Sequence, residues 1–483
     1  MLTQPLSFDA IQKTLSDRVT SHLSPGGTTV VLPSLSFPTD ELAKITAIER
    51  YEERLLNLLL RLAHPDARIV YLTSLPIHPA VIDYYLGFLP DPAAARERLS
   101  LIDLGHFTGR GLATDLADDH QALDRVRAAI GDDTSAVILP FNVTDAERRV
   151  AVEVEAPLFA AHPDLVALGS KTGSRRAAVA VGVPVLPGVE DLWSTDAISA
   201  AVDELRLAHP GVDAVVVKLN NGFSGQGNAM VTWTSDHADL ADRRTEFCAG
   251  GETWGSFTAK IAREGAIVEQ LVTYRSASPS AQAWISPSGA LRIVSTHDQM
   301  LGGPGGQVYL GCRYPADPAY RAQIIAHTEA VGRHLADKSV TGPFAIDFIV
   351  VDPDDAAGPQ TYLSEINLRL GGTTHPFGMA RVVLGADMDP AADGLASAHG
   401  PRVYIASDNI KEAALIGRSP TEVITRVRDA GLAFDPATHT GVTLHLLGAV
   451  TRYGKLGAVA IAADHEAAER LYTAVLDALR SDG

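Results

Sequence analysis

Two polar strand segments separated by a short loop could hold a metal ion. Asp347 interrupts the apolar run Ala345–Val350, and Glu365 and Asn367 lie two residues apart beyond the loop. Side chains two apart on a strand face the same way, and antiparallel pairing about a loop centred near Ala356 places Asp347 opposite Glu365. Two carboxylates held this close favour a cation, and an all-oxygen set favours Mg²⁺ or Mn²⁺. An ordinary hairpin with a solvated polar face is the alternative interpretation.

Arg369 and the turn after it extend the same strand. Arg369 lies two residues beyond Asn367, where a guanidinium could stabilise charge on a transferred phosphoryl group or an acyl phosphate. A surface arginine is the alternative. The segment Gly371-Gly372-Thr373-Thr374-His375-Pro376 predicts a turn before a helix, with polar side chains available to a ligand. Three acidic residues of the hairpin loop are predicted to be turn residues rather than metal ligands: Asp352, Asp354 and Asp355.

A glycine-rich loop follows a strand that ends in Lys218. Its sequence is Asn220-Asn221-Gly222-Phe223-Ser224-Gly225-Gln226-Gly227-Asn228. Glycines let backbone N–H groups approach a polyphosphate closely, while the lysine supplies positive charge. The loop therefore predicts a nucleotide phosphate site, although it matches neither common glycine-loop motif and a hairpin turn without a ligand is the alternative. The candidate cofactor-binding residues of this loop are Gly222, Ser224, Gly225, Gln226 and Gly227.

The charge balance excludes several classes of partner. Lys and Arg number 40 against 58 Asp and Glu, and the net charge is −18, which argues against nucleic acid and against an anionic membrane surface. The first residues lack the pattern of a leader, and no apolar stretch is long enough to span a bilayer. Cys248 and Cys312 are the only cysteines and form no metal-binding cluster, so a cytoplasmic protein without structural zinc is expected.

The elements that position these residues predict a multidomain protein. A chain of 483 residues suggests three or four domains. Up to about residue 165, strands alternate with helices, which predicts a parallel α/β sheet, and apolar spacing over Thr39–Ala63 predicts one amphipathic helix. The predicted N-terminal strands are Thr28–Leu32, Arg68–Leu72, Leu99–Leu104 and Ala136–Leu139.

The middle of the chain reads as α+β, and a further α/β unit begins near Pro401. The middle is predicted to contain a helix at Ser174–Val181, a strand at Val183–Leu186, a helix at Asp196–Ala208, a strand at Asp213–Leu219, several strands over Ala266–Cys312 and a helix at Asp317–Leu335. The last unit is predicted to contain strands at Arg402–Ala406, Gly441–Leu446 and Ala458–Ala462 and a final helix from about His465.

Taken in this order, the elements over about residues 165–395 resemble the ATP-grasp superfamily. Lys171, before a helix, is similar to the first phosphate-binding lysine of that family, and Lys218 is similar to the second. The apolar segment that begins at Ala266 ends in a stretch similar to the hinge that holds adenine: Glu269, Gln270, Leu271 and Val272. Asp347, Glu365 and Asn367 match the family's magnesium ligands. One departure is that no acidic residue follows the hinge within ten positions, so the ribose contact stays unassigned.

The glycine loop, Ser295-Thr296-His297-Asp298-Gln299 and the Glu365–Pro376 segment more narrowly resemble the pheganomycin-type peptide ligases. This resemblance implies four units: a Rossmann-like pre-ATP-grasp domain at 1–165, a nucleotide-binding subdomain at 166–275, a metal and catalytic subdomain at 276–400, and a small C-terminal α/β domain at 401–483.

The resemblance also implies a reaction. A substrate carboxylate attacks the γ-phosphate of ATP to give an acyl phosphate and ADP, and an amine then displaces phosphate to form an amide. Arg369 would stabilise the acyl phosphate, and His297 is a candidate general base, with a structural histidine as the alternative. Three arginines are candidates for holding a substrate carboxylate: Arg275, Arg292 and Arg313.

The expected partners are a small-molecule carboxylate and an amino-acid or peptide amine, with ATP and Mg²⁺ (or Mn²⁺) as cofactors and a homodimer as the assembly. Two alternatives stay open. One is another ATP-grasp chemistry, a carboxylase or a small-molecule kinase, and the other is an ATP-binding regulatory protein without catalysis.

Overall fold

The computed structural model describes residues 6–19, 26–222, 227–232, 244–272, 277–303, 306, 308–352 and 358–480. Several predicted residues lie outside these ranges: Ser224, Gly225, Gln226, Arg275, Asp354 and Asp355.

The N-terminal region forms a four-stranded parallel sheet in the order β3-β2-β1-β4. Three of its four apolar runs are almost fully buried, as parallel strands covered by helices on both faces require, and the edge strand Leu99–Asp103 is partly exposed. All four predicted strands are confirmed: β1 (Gly27–Leu32), β2 (Ala67–Thr73), β3 (Leu99–Asp103) and β4 (Val137–Pro140). The helices of this region are α1 (Phe8–Lys13), α2 (Leu15–Arg18), α3 (Thr39–Leu42), α4 (Pro79–Leu86), α5 (Pro92–Glu97), α6 (Leu112–Asp118), α7 (His120–Ile130) and α8 (Asp145–Glu153).

The prediction of one helix over Thr39–Ala63 is wrong. The chain forms only the short helix α3, turns at Ala47, which has a φ of 65°, and continues as the 3₁₀ helix Ile48–Ala63. A left-handed residue cannot continue a right-handed helix, so the periodic pattern is divided there. The second part is buried on more than one side and carries Glu52, Glu53 and Arg54 into the interior.

The nucleotide-binding region begins with the 3₁₀ helix Pro163–Gly169 and α9 (Lys171–Ala180) and contains a five-stranded antiparallel sheet in the order β5-β9-β6-β7-β8. The prediction of a strand at Val183–Leu186 is wrong, and the strand starts only at Gly188. Pro184 and Pro187 have no N–H donors for a strand ladder. The strands are β5 (Gly188–Leu192), β6 (Ala214–Leu219), β7 (Asn228–Thr232), β8 (Arg244–Phe247) and β9 (Ala266–Gln270), and the other helices are α10 (Thr195–Ala208) and α11 (Trp254–Glu264).

The remaining strands build one eight-stranded antiparallel sheet in the order β14-β13-β10-β11-β12-β15-β17-β16. They are β10 (Pro279–Ile285), β11 (Leu291–Gly302), β12 (Val308–Tyr314), β13 (Gly342–Val351), β14 (Gln360–Asn367), β15 (Val403–Lys411), β16 (Gly441–His445) and β17 (Lys455–Ala462). The helices are α12 (Pro318–Asp337), α13 (Thr374–Val383), α14 (Pro420–Asp429), α15 (Val450–Tyr453) and α16 (His465–Arg480), with 3₁₀ turns at Ala413–Leu415 and Leu447–Ala449.

The pairing of β12 with β15 carries this sheet across residue 400, where the last domain was predicted to begin. The C-terminal strands therefore continue the sheet that holds the predicted metal ligands. Across the described ranges, no helix is long and apolar enough to cross a membrane.

Candidate functional site

A cavity of about 390 Å³ collects most of the predicted site residues. It lies between the five-stranded sheet, the eight-stranded sheet and the N-terminal region, and each of these contributes to its wall. The predicted residues that line it are Lys171, Lys218, Gly222, Gln270, Leu271, Val272, Asp347, Glu365, Asn367 and Arg369, together with Gly371, Gly372 and Thr373 of the predicted turn.

The β13–β14 hairpin supplies the acidic end of the cavity. Asp347 pairs directly with Glu365, as the sequence predicts, and Asn367 follows on the same strand. The two oxygens of Asp347 accept hydrogen bonds from Gln299 Nε2 at 2.7 Å and from Asn367 Nδ2 at 3.0 Å. The apolar neighbours Ile346 and Ile366 are fully buried behind the hairpin and fix its position.

This acidic end is suited to a divalent cation. Burial and then the charge of Glu365 raise the pKa of Asp347 to about 6. Lys171 Nζ lies 2.6 Å from Glu365 Oε1, so an ammonium supplies the positive charge at that carboxylate. Across the described ranges, no group of three or more His, Cys, Asp or Glu could hold a metal, so a three-ligand set here needs the Asn367 amide oxygen. Two carboxylates and an amide are the hard oxygen donors that Mg²⁺ prefers.

Two buried lysines form the basic wall. Lys171 Nζ donates to the carbonyl of Gly222 at 3.0 Å, which ties α9 to the glycine loop. Lys218 Nζ donates to Glu269 Oε2 at 3.1 Å and to Ser364 Oγ at 3.3 Å. These contacts hold both ammonium groups on the cavity wall beside the acidic end.

The start of α9 is fastened to both sheets. Asn220 Oδ1, at the end of β6, accepts from the N–H of Thr172 at 3.0 Å. Ser174 Oγ accepts from the N–H of Ile366 in β14 at 2.8 Å. Lys171 is therefore positioned relative to the glycine loop on one side and to Glu365 on the other.

The hinge residues divide into two groups. Gln270, Leu271 and Val272 line the cavity, as a nucleotide-binding hinge requires. Glu269 is buried and is not part of the described lining, because its side chain turns to Lys218 instead. The geometry therefore gives Glu269 the role of positioning Lys218 and does not support its predicted direct contact with the nucleotide.

The predicted general base, His297, does not lie at the cavity. Its ring is completely buried, with Nδ1 2.7 Å from Gln282 Oε1 and Nε2 2.6 Å from Tyr404 Oη. Burial lowers the pKa of His297 to about 3, so the ring stays neutral. The geometry corrects this prediction: both ring nitrogens are engaged in the core, and His297 is a structural histidine.

Two of the three arginine candidates for a substrate carboxylate can be located in the structure, and neither lies at the cavity. Arg292 and Arg313 are not part of the described cavity wall, and Arg313 Nη2 lies 3.4 Å from Glu469 Oε1. The residues that line the cavity although the sequence did not single them out include Tyr51, Arg54, Asp408 and Lys455. Their types gave no signal, because charged residues between apolar positions usually mark a solvated face, whereas here they are buried.

Two protein families match parts of the chain. A family described as IQCH-like, ATP-grasp matches residues 230–390, and the PGM1 C-terminal domain matches residues 422–475. An L-propargylglycine–L-glutamate ligase from Streptantibioticus cattleyicolor is 29% identical over 465 residues, which cover 92% of each chain. The IQ motif-containing protein H of Danio rerio is 21% identical over 420 residues, covering 75% of this chain and 39% of that protein.

These matches confirm the predicted resemblance to the ATP-grasp superfamily. Solved structures agree in fold. An N5-carboxyaminoimidazole ribonucleotide synthetase in complex with ADP superposes with a TM-score of 0.56 at 14% identity, over 95% of this chain and 97% of that one. The biotin carboxylase of Campylobacter jejuni gives a TM-score of 0.55 at 15% identity, over 93% of this chain and 90% of that one. The predicted fold class and ligase reaction class are confirmed.

Proposed function

We propose that this ATP-grasp chain is a carboxylate–amine ligase that works through an acyl phosphate and releases ADP and phosphate. Its substrates would be an amino-acid-like acid and the amine of an amino acid or peptide. The observation that carries the proposal is the cavity in which two lysines, two carboxylates and Arg369 converge. The ligase relative supports the substrate class, because its name specifies two amino acids.

Lys171 and Lys218 would hold the phosphates of ATP, and the backbone from Gln270 to Val272 would hold adenine. Solved proteins of this fold support a nucleotide here: a carboxyaminoimidazole ribonucleotide synthase is complexed with ATP, and a biotin carboxylase domain is complexed with MgADP. In the structure Lys171 pairs with Glu365 at 2.6 Å. Nucleotide binding would draw this lysine toward the phosphates and leave Glu365 to the metal.

Asp347, Glu365 and Asn367 would hold Mg²⁺, for which Mn²⁺ is a chemically similar substitute. Bound there, the metal would neutralise charge on the phosphate oxygens during transfer. In the structure, the amide of Asn367 donates to Asp347, so the ligand role requires the amide to turn its oxygen toward the carboxylates.

Arg369 would stabilise the acyl phosphate. An oxygen of the acid attacks the γ-phosphorus, and the bond to the leaving ADP breaks. The amine nitrogen then attacks the acyl carbon, phosphate leaves, and the proton lost by the amine passes to solvent or phosphate. The described part of the cavity wall contains no histidine. The chain therefore acts through positioning and charge stabilisation.

The proposal is tested by incubating the protein with MgATP and a matrix of amino acids as acids and amines. We expect ADP and phosphate in equal amounts with the amide, which mass spectrometry detects. An acid labelled with heavy oxygen in its carboxylate should pass one labelled atom to the released phosphate, because the acyl phosphate forms through that oxygen. Formation of AMP, or unlabelled phosphate alongside amide, would contradict the mechanism.

The same assay separates the alternatives. Solved carboxylases share the fold at low identity, so labelled bicarbonate is included. Incorporation of bicarbonate would indicate a carboxylase, a stable phosphorylated product a kinase, and ATP binding without any product a regulatory protein. A homodimer stays a prediction, which light scattering of the purified chain tests.

A further inference from the structure

A second charged cluster lies on the cavity wall beyond the phosphate and metal residues. It consists of Arg54 from the N-terminal 3₁₀ helix, Asp408 from β15 and Lys455 from β17. Arg54 is 8% exposed and Lys455 is 2% exposed, so each cation is held out of bulk solvent. Burying two cations is unfavourable unless an anion offsets them, and Asp408 balances only one.

The contacts within the cluster do not use all of the hydrogen-bond donors of Arg54 and Lys455. Arg54 Nε is 3.5 Å from Asp408 Oδ2, and within the described residues this buried nitrogen makes no hydrogen bond. Lys455 Nζ donates to Tyr51 Oη at 2.5 Å, and the remaining ammonium protons lie beside the cavity. This nitrogen is enclosed beside Asp408, but Arg54 also lines the cavity, where its other guanidinium nitrogens would be available to a ligand.

The cluster lies close to Arg369, the residue assigned to the acyl phosphate. The guanidinium carbons of Arg54 and Arg369 are 5.3 Å and 5.9 Å from the ring centre of Phe141, and are therefore at most about 11 Å apart. An amino acid or dipeptide spans that distance in an extended conformation, at about 3.5 Å per residue plus its side chain. A group bound at Arg54 could thus belong to a molecule that reacts at Arg369.

We propose that Arg54 and Lys455 bind a free, non-reacting carboxylate of one of the two substrates, with Asp408 orienting the guanidinium. This inference rests on the proposed ligase function. A planar guanidinium with a neighbouring ammonium matches the two oxygens of a carboxylate. The nucleotide phosphates are already matched by Lys171 and Lys218, so the cluster is available to the acid or the amine.

The test compares free amino acids with analogues in which the non-reacting carboxylate is an amide. L-Glutamate is paired with its α-amide and L-alanine with L-alaninamide, each tried as acid and as amine where its groups allow. Wild-type protein should show a KM at least tenfold higher for the amide of one substrate only, which identifies that substrate as the source of the carboxylate.

The variants Arg54→Gln and Lys455→Met should raise the KM for the free carboxylate to a similar extent and abolish the preference over the amide, while the KM for ATP stays unchanged. Two variants are used so that the test still works if one of them does not fold. Arg54→Lys, which keeps the positive charge, should retain part of the preference for the free carboxylate over the amide. Arg470→Gln is the matched control, because Arg470 is 64% exposed in α16.

Calorimetric binding of the same amino acids in the presence of MgADP separates the two proposals. Loss of binding in Arg54→Gln without any turnover by the wild type would contradict the ligase reaction but support the carboxylate site. Amide formation with an undiminished preference in Arg54→Gln, or with no preference in the wild type, would overturn the carboxylate site and leave the ligase function intact.

Discussion

The carboxylate of Glu365 lies between a positive group, which attracts it, and a negative group, which repels it. Lys171 approaches to 2.6 Å, and Asp347 lies directly across the strand pair. Removing the charge of Glu365 would leave Lys171 without its anionic partner and would leave the predicted metal with one carboxylate. Because the side chain is 21% exposed, a neutral substitute of the same shape should be tolerated by the fold.

We therefore predict that Glu365→Gln lowers kcat by about a hundredfold or more, since a group that stabilises transferred charge contributes on the order of 3 kcal/mol. Circular dichroism and the melting temperature should stay close to those of the wild type. Glu329→Gln, on the exposed face of α12, is the matched control and should retain full activity. A fully active Glu365→Gln would refute the metal assignment.

Lys455 predicts a pH dependence of substrate binding. Burial lowers the pKa of Lys455 to about 8, with Asp408 opposing the shift and Lys411 and Arg54 adding to it. A carboxylate binds the protonated ammonium, so binding is strongest below this pKa and weakens as the pH rises through it.

The KM for the carboxylate substrate should therefore increase severalfold between about pH 7 and about pH 9, and Lys455→Met should have a higher and flatter profile. The KM for ATP serves as the internal control, because the polar contacts of Lys171 and Lys218 do not involve Lys455. A flat wild-type profile would exclude Lys455 from the binding of this substrate.

At the scale of elements, the predictable features are those that follow from local periodicity. The register of β13 and β14 could be derived because strand alternation and a loop centre fix which residues face each other, and Asp347 does pair with Glu365. The break in the helix at Ala47 could not be derived in this way, because an alanine with a left-handed backbone conformation has no sequence signature. Long-range pairs such as Lys218 with Glu269, and the burial of Arg54 and Lys455, depend on tertiary packing that the pattern does not encode.

A buried ionic cluster joins the N-terminal region to the nucleotide-binding region. Lys260 in α11 lies 2.9 Å from Glu41 in α3 and 2.6 Å from Glu252. Burial alone would raise the pKa of each glutamate, but the hydrogen bonds from the lysines lower both. Lys44, on the cavity wall, is a second partner of Glu41 at 2.8 Å. This cluster fixes how the two regions face each other across the cavity.

Lys260→Met should lower the free energy of unfolding by about 2–4 kcal/mol, because it leaves two largely buried carboxylates with Lys44 as the remaining cation of the cluster. Chemical denaturation measures this loss. The double variant Lys260→Met with Glu252→Gln should recover part of it, since one unpaired charge is removed. If the double variant is less stable than the single one, the charges are not coupled as the structure indicates.

At the scale of the whole molecule, the cavity is complete only when the N-terminal, nucleotide-binding and C-terminal regions are all present. Arg54, Lys218 and Lys455 reach the same space from three different sheets or their covering helices. One hydrophobic cluster also combines Leu55 and Tyr71 with Leu444, Leu456 and Val475. The C-terminal residues therefore share both a sheet and a core with the rest of the chain.

This sharing predicts the result of a truncation. A chain of residues 1–400 loses β15, which pairs with β12 through Cys312 to Tyr314, and opens the shared core. An exposed strand edge beside apolar surface promotes aggregation, so we expect the truncated chain to aggregate and to lack a cooperative melting transition. Coexpression of residues 401–483 should increase the yield of folded protein, because the missing strands can pair with the truncated chain as a separate fragment. A truncated chain that melts cooperatively and binds ADP as the full chain does would show instead that the C-terminal unit is an independent addition to a self-sufficient core.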